Sequence, residues 1–142
     1  MVQLDHTFEN GKPVDHNWEA ILDLDRIIPC VQGGRVVERT SPTSAKAEIK
    51  VKMGAMSMTF AGTVDVAETD EGSHTAVLRV KSREVGGQGH ANADVAFDLS
   101  DGGGTIHTAA QITGKAASMG EGVVAGVLDA LIKDFTSKLA QL

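Results

Sequence analysis

The sequence contains one cysteine, three prolines and no tyrosine in 142 residues. Because Cys30 has no second cysteine to pair with, an internal disulfide is excluded and a reducing cytoplasm is the simplest setting. No stretch approaches the roughly 20 apolar residues that a membrane-spanning helix needs. The N-terminus also lacks the basic and apolar segments of a signal peptide. We therefore expect a cytoplasmic protein, and any contact with the membrane must be peripheral.

The chain also lacks a basic excess, since its formal net charge is −6. A nucleic-acid-binding protein needs a basic surface to displace counterions, so this class is disfavoured. The histidines show none of the spacings typical of metal sites, and no pair of carboxylates is placed for acid–base work. We expect no metal site and no catalytic site, and we interpret Cys30 as a small buried apolar residue.

Two histidines have alternative interpretations. His6 has the parity of an inward-facing strand residue, and we favour a buried, hydrogen-bonded histidine over a ligand or a base. His90 follows Gly89 near a predicted cavity entrance, where contact with the polar head of a ligand is the alternative to a plain surface position.

Apolar and polar residues alternate along most of the chain, which is typical of strands that bury one face. The alternation first spans Val2 to Phe8 and then resumes from Arg35 to Ile112, with short breaks rich in Gly, Asp and Ser. This pattern predicts seven strands in meander order. Between the first strand and the rest, Pro13 and Pro29 bracket residues with the spacing of two short helices.

The last segment, from about Lys115 to Leu142, changes to helical spacing, with Met119, Val123, Val127 and Leu131 in one stripe. The predicted fold class is α+β, with a seven-stranded curved antiparallel sheet around a long C-terminal helix and two short helices after strand 1. We expect residues 1–142 to form a single ligand-binding domain.

Small residues are frequent on the faces that should meet between sheet and helix. They are Ala45, Ala47, Gly62, Ala76, Ala91, Ala93, Thr108 and Ala110 on the strands and Gly120, Gly122 and Gly126 on the helix. Small residues on both walls favour an apolar cavity, although closer dry packing is the alternative. The predicted ligand-binding residues are Ile49, Val51, Met53, Met56, Met58, Phe60, Leu78, Val80, Ala91, Ala93, Val95, Met119, Val123, Val127 and Leu131.

In a meander, alternate hairpins lie at opposite ends of the sheet. One end should collect residues 53–56, 85–89 and 113–115, which are rich in Gly and Met and suit an adaptable entrance. The predicted membrane or partner rim around it comprises Lys50, Lys52, Arg79, Lys81, Arg83 and Lys115. The other end collects Glu68, Asp70, Glu71, Asp98 and Asp101. An ordinary solvated face is the alternative interpretation of the basic residues.

Several short motifs, in this order and spacing, resemble the CoxG family, which comprises the CoxG subunit of carbon monoxide dehydrogenase and falls within the START/Bet v 1-like (SRPBCC) superfamily. The resemblance runs from about His6 to Leu139. Its motifs are Pro13 followed by Trp18, Ile28-Pro29-Cys30, Ile49-Lys50-Val51-Lys52-Met53-Gly54, Phe60-Ala61-Gly62-Thr63, Gly87-Gln88-Gly89-His90-Ala91-Asn92-Ala93 and Ile112-Thr113-Gly114-Lys115. The chain departs from the pattern at Gln32-Gly33, where close relatives often carry Pro-Gly, and it stops at Leu142, where longer relatives continue into a tail.

This resemblance implies a helix-grip fold and a non-enzymatic carrier of a respiratory quinone, menaquinone, with no required cofactor. It also implies a molybdenum-containing carbon monoxide dehydrogenase as partner, electron transfer towards the respiratory chain and peripheral contact with the cytoplasmic membrane. Three alternatives remain open, namely a carrier of another lipid or isoprenoid unconnected to an oxidoreductase, a cyclase- or hydratase-type enzyme, and a structural adaptor with a dry core.

Overall fold

The computed structural model describes all 142 residues and contains one seven-stranded sheet. The strands are β1 (Val2–Glu9), β2 (Gly34–Ser41), β3 (Ser44–Met53), β4 (Met56–Asp70), β5 (Thr75–Glu84), β6 (His90–Ser100) and β7 (Gly103–Ile112). Their order is β1-β7-β6-β5-β4-β3-β2, and all neighbours are antiparallel. The predicted meander is confirmed, and its last strand pairs with the first.

Two short helices connect β1 to β2, as the sequence predicts. Helix α1 spans Val14–Leu22 directly after Pro13, and α2 spans Leu24–Ile27. A 3-10 turn, Ile28–Cys30, follows and contains Pro29. Because proline has no backbone N–H to donate, the α-helical hydrogen bonding ends at this point.

The C-terminal helix α3 spans Glu121–Leu139, so its predicted start near Lys115 is wrong. A separate 3-10 turn, Ala117–Met119, precedes it. Gly114 and Gly120 have positive φ angles of 80° and 98°, which a right-handed helix does not contain. Gly114 therefore precedes the turn, and Gly120 separates the turn from the helix.

The inward face of the sheet carries two apolar clusters at opposite strand ends. The first, which we call the α1–α2 cluster, is centred on Trp18, Ile21, Leu24, Leu99 and Leu139. The second, which we call the methionine cluster, has a buried centre formed by Val2, Val51, Met53, Met58, Phe60, Ala116 and Val124. Met56 and Met119 pack against this second centre. Burial on alternate strand residues agrees with the predicted inward faces.

Helix α3 faces the sheet with Val124, Phe135 and Leu139, which are buried. Val123 is 43% exposed, so its predicted inward position is wrong, and the neighbouring Val124 is buried instead. Gly122 and Gly126 are exposed, and a Cβ atom added to either would meet nothing within 4 Å. The expectation that these glycines form the wall facing the sheet is therefore wrong.

Candidate ligand cavity

A cavity of about 260 Å³ lies between the inward face of the sheet and helix α3. Strands β3 to β7 form one wall, α3 forms the opposite wall, and Ile27, Ile28 and Val31 near α2 close a side. Of its 31 lining residues 24 are hydrophobic, so the cavity suits an apolar molecule. The predicted cavity is confirmed, and dry packing of helix against sheet is not observed.

The cavity exists because several inward side chains are too short to reach α3. Ala47, Ala91, Ala93 and Ala110 line it, as does Gly62. Gly62 has a different role, because a Cβ atom there would lie 1.9 Å from the backbone oxygen of Lys81. Close approach of β4 to β5 therefore requires this glycine, whereas the alanines leave the open space.

Most of the predicted ligand-binding residues lie together in the cavity wall. They are Ile49, Val51, Met53, Phe60, Leu78, Val80, Ala91, Ala93, Val95, Val127 and Leu131. The prediction missed Phe97, Ile106, Ile112, Leu128, Ile132 and Phe135, although they share the same strand parity or helix face. It also missed Ile27, Ile28 and Val31, because no periodicity in the sequence tells where the two short helices pack.

Four predicted residues do not line the cavity. Met58 is buried in the methionine cluster, and Met56 and Met119 pack against it. Val123 lies on the exposed side of α3. Met119, in the 3-10 turn before α3, lies next to Gly54 in the β3–β4 turn. Its Cε atom is 3.3 Å from the point that a Cβ atom added to this glycine would occupy. Methionine side chains thus pack together at the end at which the sequence predicts an open entrance.

The cavity volume limits the size of a ligand that fits without rearrangement. Sites for drug-sized molecules typically enclose about 300–1,000 Å³, so 260 Å³ suits a molecule the size of a fused ring system. A second cavity of about 230 Å³ shares Ala110, Ile112 and Val124 with the first. A longer ligand must therefore extend past these three residues or displace another part of the wall.

Polar side chains in the cavity wall are few, and most already have partners. Glu48 Oε1 accepts a hydrogen bond of 2.7 Å from Arg35, and the Ser82 hydroxyl donates one of 2.6 Å to the backbone oxygen of Ala91. Thr108 is 3% exposed, and its hydroxyl has no partner. The lining residues include no histidine, cysteine or aspartate.

His6 lies beside α3 and does not line the cavity. Its Nε2 atom is 2.7 Å from Asp129 Oδ1, and Lys133 Nζ is 2.9 Å from Asp129 Oδ2. Lys133 and, after it, His6 hold the pKa of Asp129 below its usual range. The predicted hydrogen bond of His6 is confirmed, although its side chain is 11% exposed and its Nδ1 atom has no hydrogen-bond partner. The contact with Asp129 ties β1 to the middle of α3.

Cys30 is buried, and its Sγ donates a hydrogen bond of 3.5 Å to the backbone oxygen of Arg26. Burial raises the pKa of this thiol, which keeps it in the unreactive protonated form. Nowhere in the chain do three side chains of His, Cys, Asp or Glu lie together in an arrangement that could hold a metal ion.

The predicted basic rim is only partly assembled. Lys50, Lys52, Lys81 and Arg83 are exposed on the outer face of β3 and β5, in the half of the sheet nearer the methionine cluster. Lys115 is exposed too, and its backbone N–H donates a bond of 2.7 Å to the Gln88 oxygen. We call Lys50, Lys52, Lys81, Arg83 and Lys115 the basic face.

Arg79 does not belong to this rim. It lies in the middle of β5, and its Nε is 2.9 Å from Asp94 Oδ1. This contact lowers the pKa of Asp94, so Arg79 is already neutralised by a neighbouring strand. His90 is exposed opposite Arg83 on the outer face, and it does not line the cavity.

Residues 7–142 match the family model of the CoxG subunit of carbon monoxide dehydrogenase. A crystal structure of a conserved protein from Geobacillus kaustophilus has a TM-score of 0.83 at 21% identity, covering 99% of this chain and 93% of that chain. The Zhui aromatase/cyclase from Streptomyces sp. R1128 has a TM-score of 0.60 at 13% identity, covering 99% and 92%. Ara h 8.0201 has a TM-score of 0.56 at 16% identity, covering 99% of both chains.

These similarities confirm the predicted helix-grip, START/Bet v 1-like fold. Among curated proteins, none is significantly similar in sequence. None of the helices combines the length and the apolar character needed to cross a membrane.

Proposed function

Because the chain belongs to the CoxG family of carbon monoxide dehydrogenase subunits, we propose that it is a non-enzymatic carrier of a respiratory quinone, menaquinone. The observation that carries this proposal is the apolar cavity of about 260 Å³ between the sheet and α3. The ring system of a quinone is flat and largely apolar, and it suits such a wall. Binding needs no metal and no further cofactor, since burial of apolar surface supplies the affinity.

The partner in this proposal is a molybdenum-containing carbon monoxide dehydrogenase. The description of the family supports it, because the family is named for a subunit of that enzyme. The carrier would move quinone between the membrane and the enzyme, so that electrons from carbon monoxide reach the respiratory chain. Adding the protein to the purified enzyme and quinone-containing vesicles should therefore increase the rate of carbon monoxide-dependent quinone reduction.

An enzymatic role is the alternative, since the Zhui structure is that of an aromatase/cyclase. Acid–base chemistry in the cavity would need a titratable side chain free to move a proton. Glu48 is the one titratable residue in the wall, and it is bound to Arg35. His6 is directed to Asp129 instead. These contacts favour a carrier over an enzyme.

Extraction of the purified protein with organic solvent, followed by mass spectrometry, tests the identity of the ligand. We expect a quinone, and a different lipid would support the carrier unconnected to an oxidoreductase. Ala93→Trp should abolish uptake because it fills the cavity, at an overpacking cost of about 1–3 kcal/mol. Ala96→Trp is the matched control, since Ala96 lies on the outer face of the same strand. Equal uptake by the two variants would show that the ligand does not bind in the cavity.

Peripheral membrane contact through the basic face is a further part of the proposal. Val85, in the β5–β6 loop at this end, is 62% exposed, and basic residues near an anionic surface each contribute about 1 kcal/mol of binding. Reversing Lys52 and Arg83 to glutamate should weaken binding to anionic vesicles at least tenfold, without changing affinity for the soluble naphthoquinone menadione. Glu68→Lys, at the opposite end, is the control. Unchanged vesicle binding by the reversed protein would leave the basic face as an ordinary solvated surface.

A further inference from the structure

Thr108 is the polar residue of the cavity wall that has no evident structural role. It lies on β7 between Ile106 and Ala110, which line the cavity with it. It is 3% exposed, and its hydroxyl makes no hydrogen bond. The other polar lining residues differ, because Glu48 and Ser82 are hydrogen-bonded and Thr63 and Asn92 reach the solvent-exposed side.

The surrounding sheet offers the hydroxyl no partner. The cross-strand neighbours of Thr108 are Leu4 on β1 and Val95 on β6, and both are apolar. A buried polar group without a partner destabilises a fold, and such groups are rare in native proteins. Valine would fill nearly the same volume without this cost. Rotation about the Cα–Cβ bond moves the hydroxyl from one staggered position to another, so the hydroxyl can turn towards a molecule in the cavity.

We propose that the Thr108 hydroxyl is the polar anchor of the cavity and binds a ring oxygen of the carried molecule. This inference rests on the proposed carrier function and adds the chemical feature by which the cavity selects its ligand. A threonine hydroxyl donates one hydrogen bond and also accepts. It can therefore donate to the carbonyl oxygen of a quinone and accept from the hydroxyl of the reduced quinol. The cavity thereby holds both redox states and discriminates against a hydrocarbon of the same shape.

Two probes of matched shape test the anchor, menadione and its hydrocarbon counterpart 2-methylnaphthalene. In Thr108→Val, the dissociation constant for menadione should rise about tenfold, which corresponds to about 1.4 kcal/mol. The constant for 2-methylnaphthalene should stay the same. The melting temperature of the ligand-free variant should rise by a few degrees, because the unpartnered hydroxyl has been removed.

Two further variants separate an anchor from a merely structural residue. Thr108→Ser keeps the hydroxyl and should retain the preference for menadione. Thr105→Val makes the same change at an exposed, outward-facing position of β7, so it should leave the preference unchanged.

Equal weakening of both probes by Thr108→Val would assign Thr108 to cavity shape and overturn the anchor, while the carrier proposal would stand. Unchanged binding of both probes would also overturn the anchor. A wild-type protein that takes up neither probe would overturn both proposals.

Discussion

The two apolar clusters at the ends of the sheet are built from different side chains. The α1–α2 cluster contains Trp18, Ile21 and Leu24, and the last two are fully buried. It also holds the C-terminal half of α3 through Phe135 and Leu139. The methionine cluster contains Met53 and Met58 at its centre and Met56 and Met119 against it. Four of the five methionines of the chain therefore belong to this cluster.

This difference separates the part of the molecule that stabilises the fold from the part that is able to rearrange. Branched and aromatic side chains have few rotamers and pack to high density. Methionine is unbranched and flexible, and it fills irregular space at low cost. Two glycines with positive φ, Gly54 and Gly120, adjoin the methionine cluster. We therefore expect a ligand to enter through the methionine cluster while the α1–α2 cluster stays packed.

The largest effect should come from a cavity in the α1–α2 cluster. Ile21 is fully buried there, and truncation of such a residue typically costs about 2–5 kcal/mol. Ile21→Ala should therefore lower the free energy of unfolding by this amount, measured by urea denaturation. Val123→Ala, at an exposed position on α3, should change it by less than about 0.5 kcal/mol. A small loss from Ile21→Ala would show that this end is loosely packed and would remove the contrast between the clusters.

Alternation of apolar and polar residues was sufficient to predict the sheet. A slip of one residue would turn Ile49, Val51 and Met53 to solvent, so the pattern excludes such slips and determines the inward face. Most of the lining residues on β3 to β6 followed for the same reason, although Phe97 was missed. Helix α3 was harder to predict, because its stripe spans several adjacent positions and Val123 cannot be told from Val124 by spacing alone.

Other features depend on three-dimensional packing that no local pattern encodes. The side of the cavity formed by Ile27, Ile28 and Val31 depends on where α2 docks. The pairing of Arg79 with Asp94 joins residues of adjacent strands, and it requires the exact cross-strand register. The packing of Met56, Met58 and Met119 outside the cavity wall depends on side-chain conformation, and sequence parity does not describe this.

A smaller effect should follow when the methionine cluster is stiffened without changing its volume. The double change Met58→Leu and Met119→Leu affects residues that do not line the cavity. Met–Leu exchanges usually cost less than about 1.5 kcal/mol, so the fold should persist. Because leucine is branched and less flexible, we expect menadione to associate several-fold more slowly at unchanged equilibrium affinity, measured by stopped-flow fluorescence.

The matched control is the reverse exchange at the other end. Leu99→Met lies in the α1–α2 cluster and should leave the association rate unchanged. If the control slows association as much as the double change, or if the double change has no effect on the rate, the ligand does not enter through the methionine cluster.

The smallest effect concerns Asp129, which lies on α3 between the two clusters and links the helix to β1 through His6. The pKa of Asp129 is lowered, first by Lys133 and then by His6. A carboxyl group with a lowered pKa in the folded state stabilises the fold above its unfolded pKa of about 3.9. This contribution is lost as the pH falls through the folded pKa. Asp129→Asn should therefore reduce the free energy of unfolding at pH 7 and have a smaller effect near pH 2. The reduction should be small because exposed ion pairs are screened by solvent. Asp98 makes no ion pair, so Asp98→Asn is the control. Urea denaturation at several pH values measures the difference, and a deficit that persists undiminished at pH 2 would assign the role of Asp129 to uncharged hydrogen bonding.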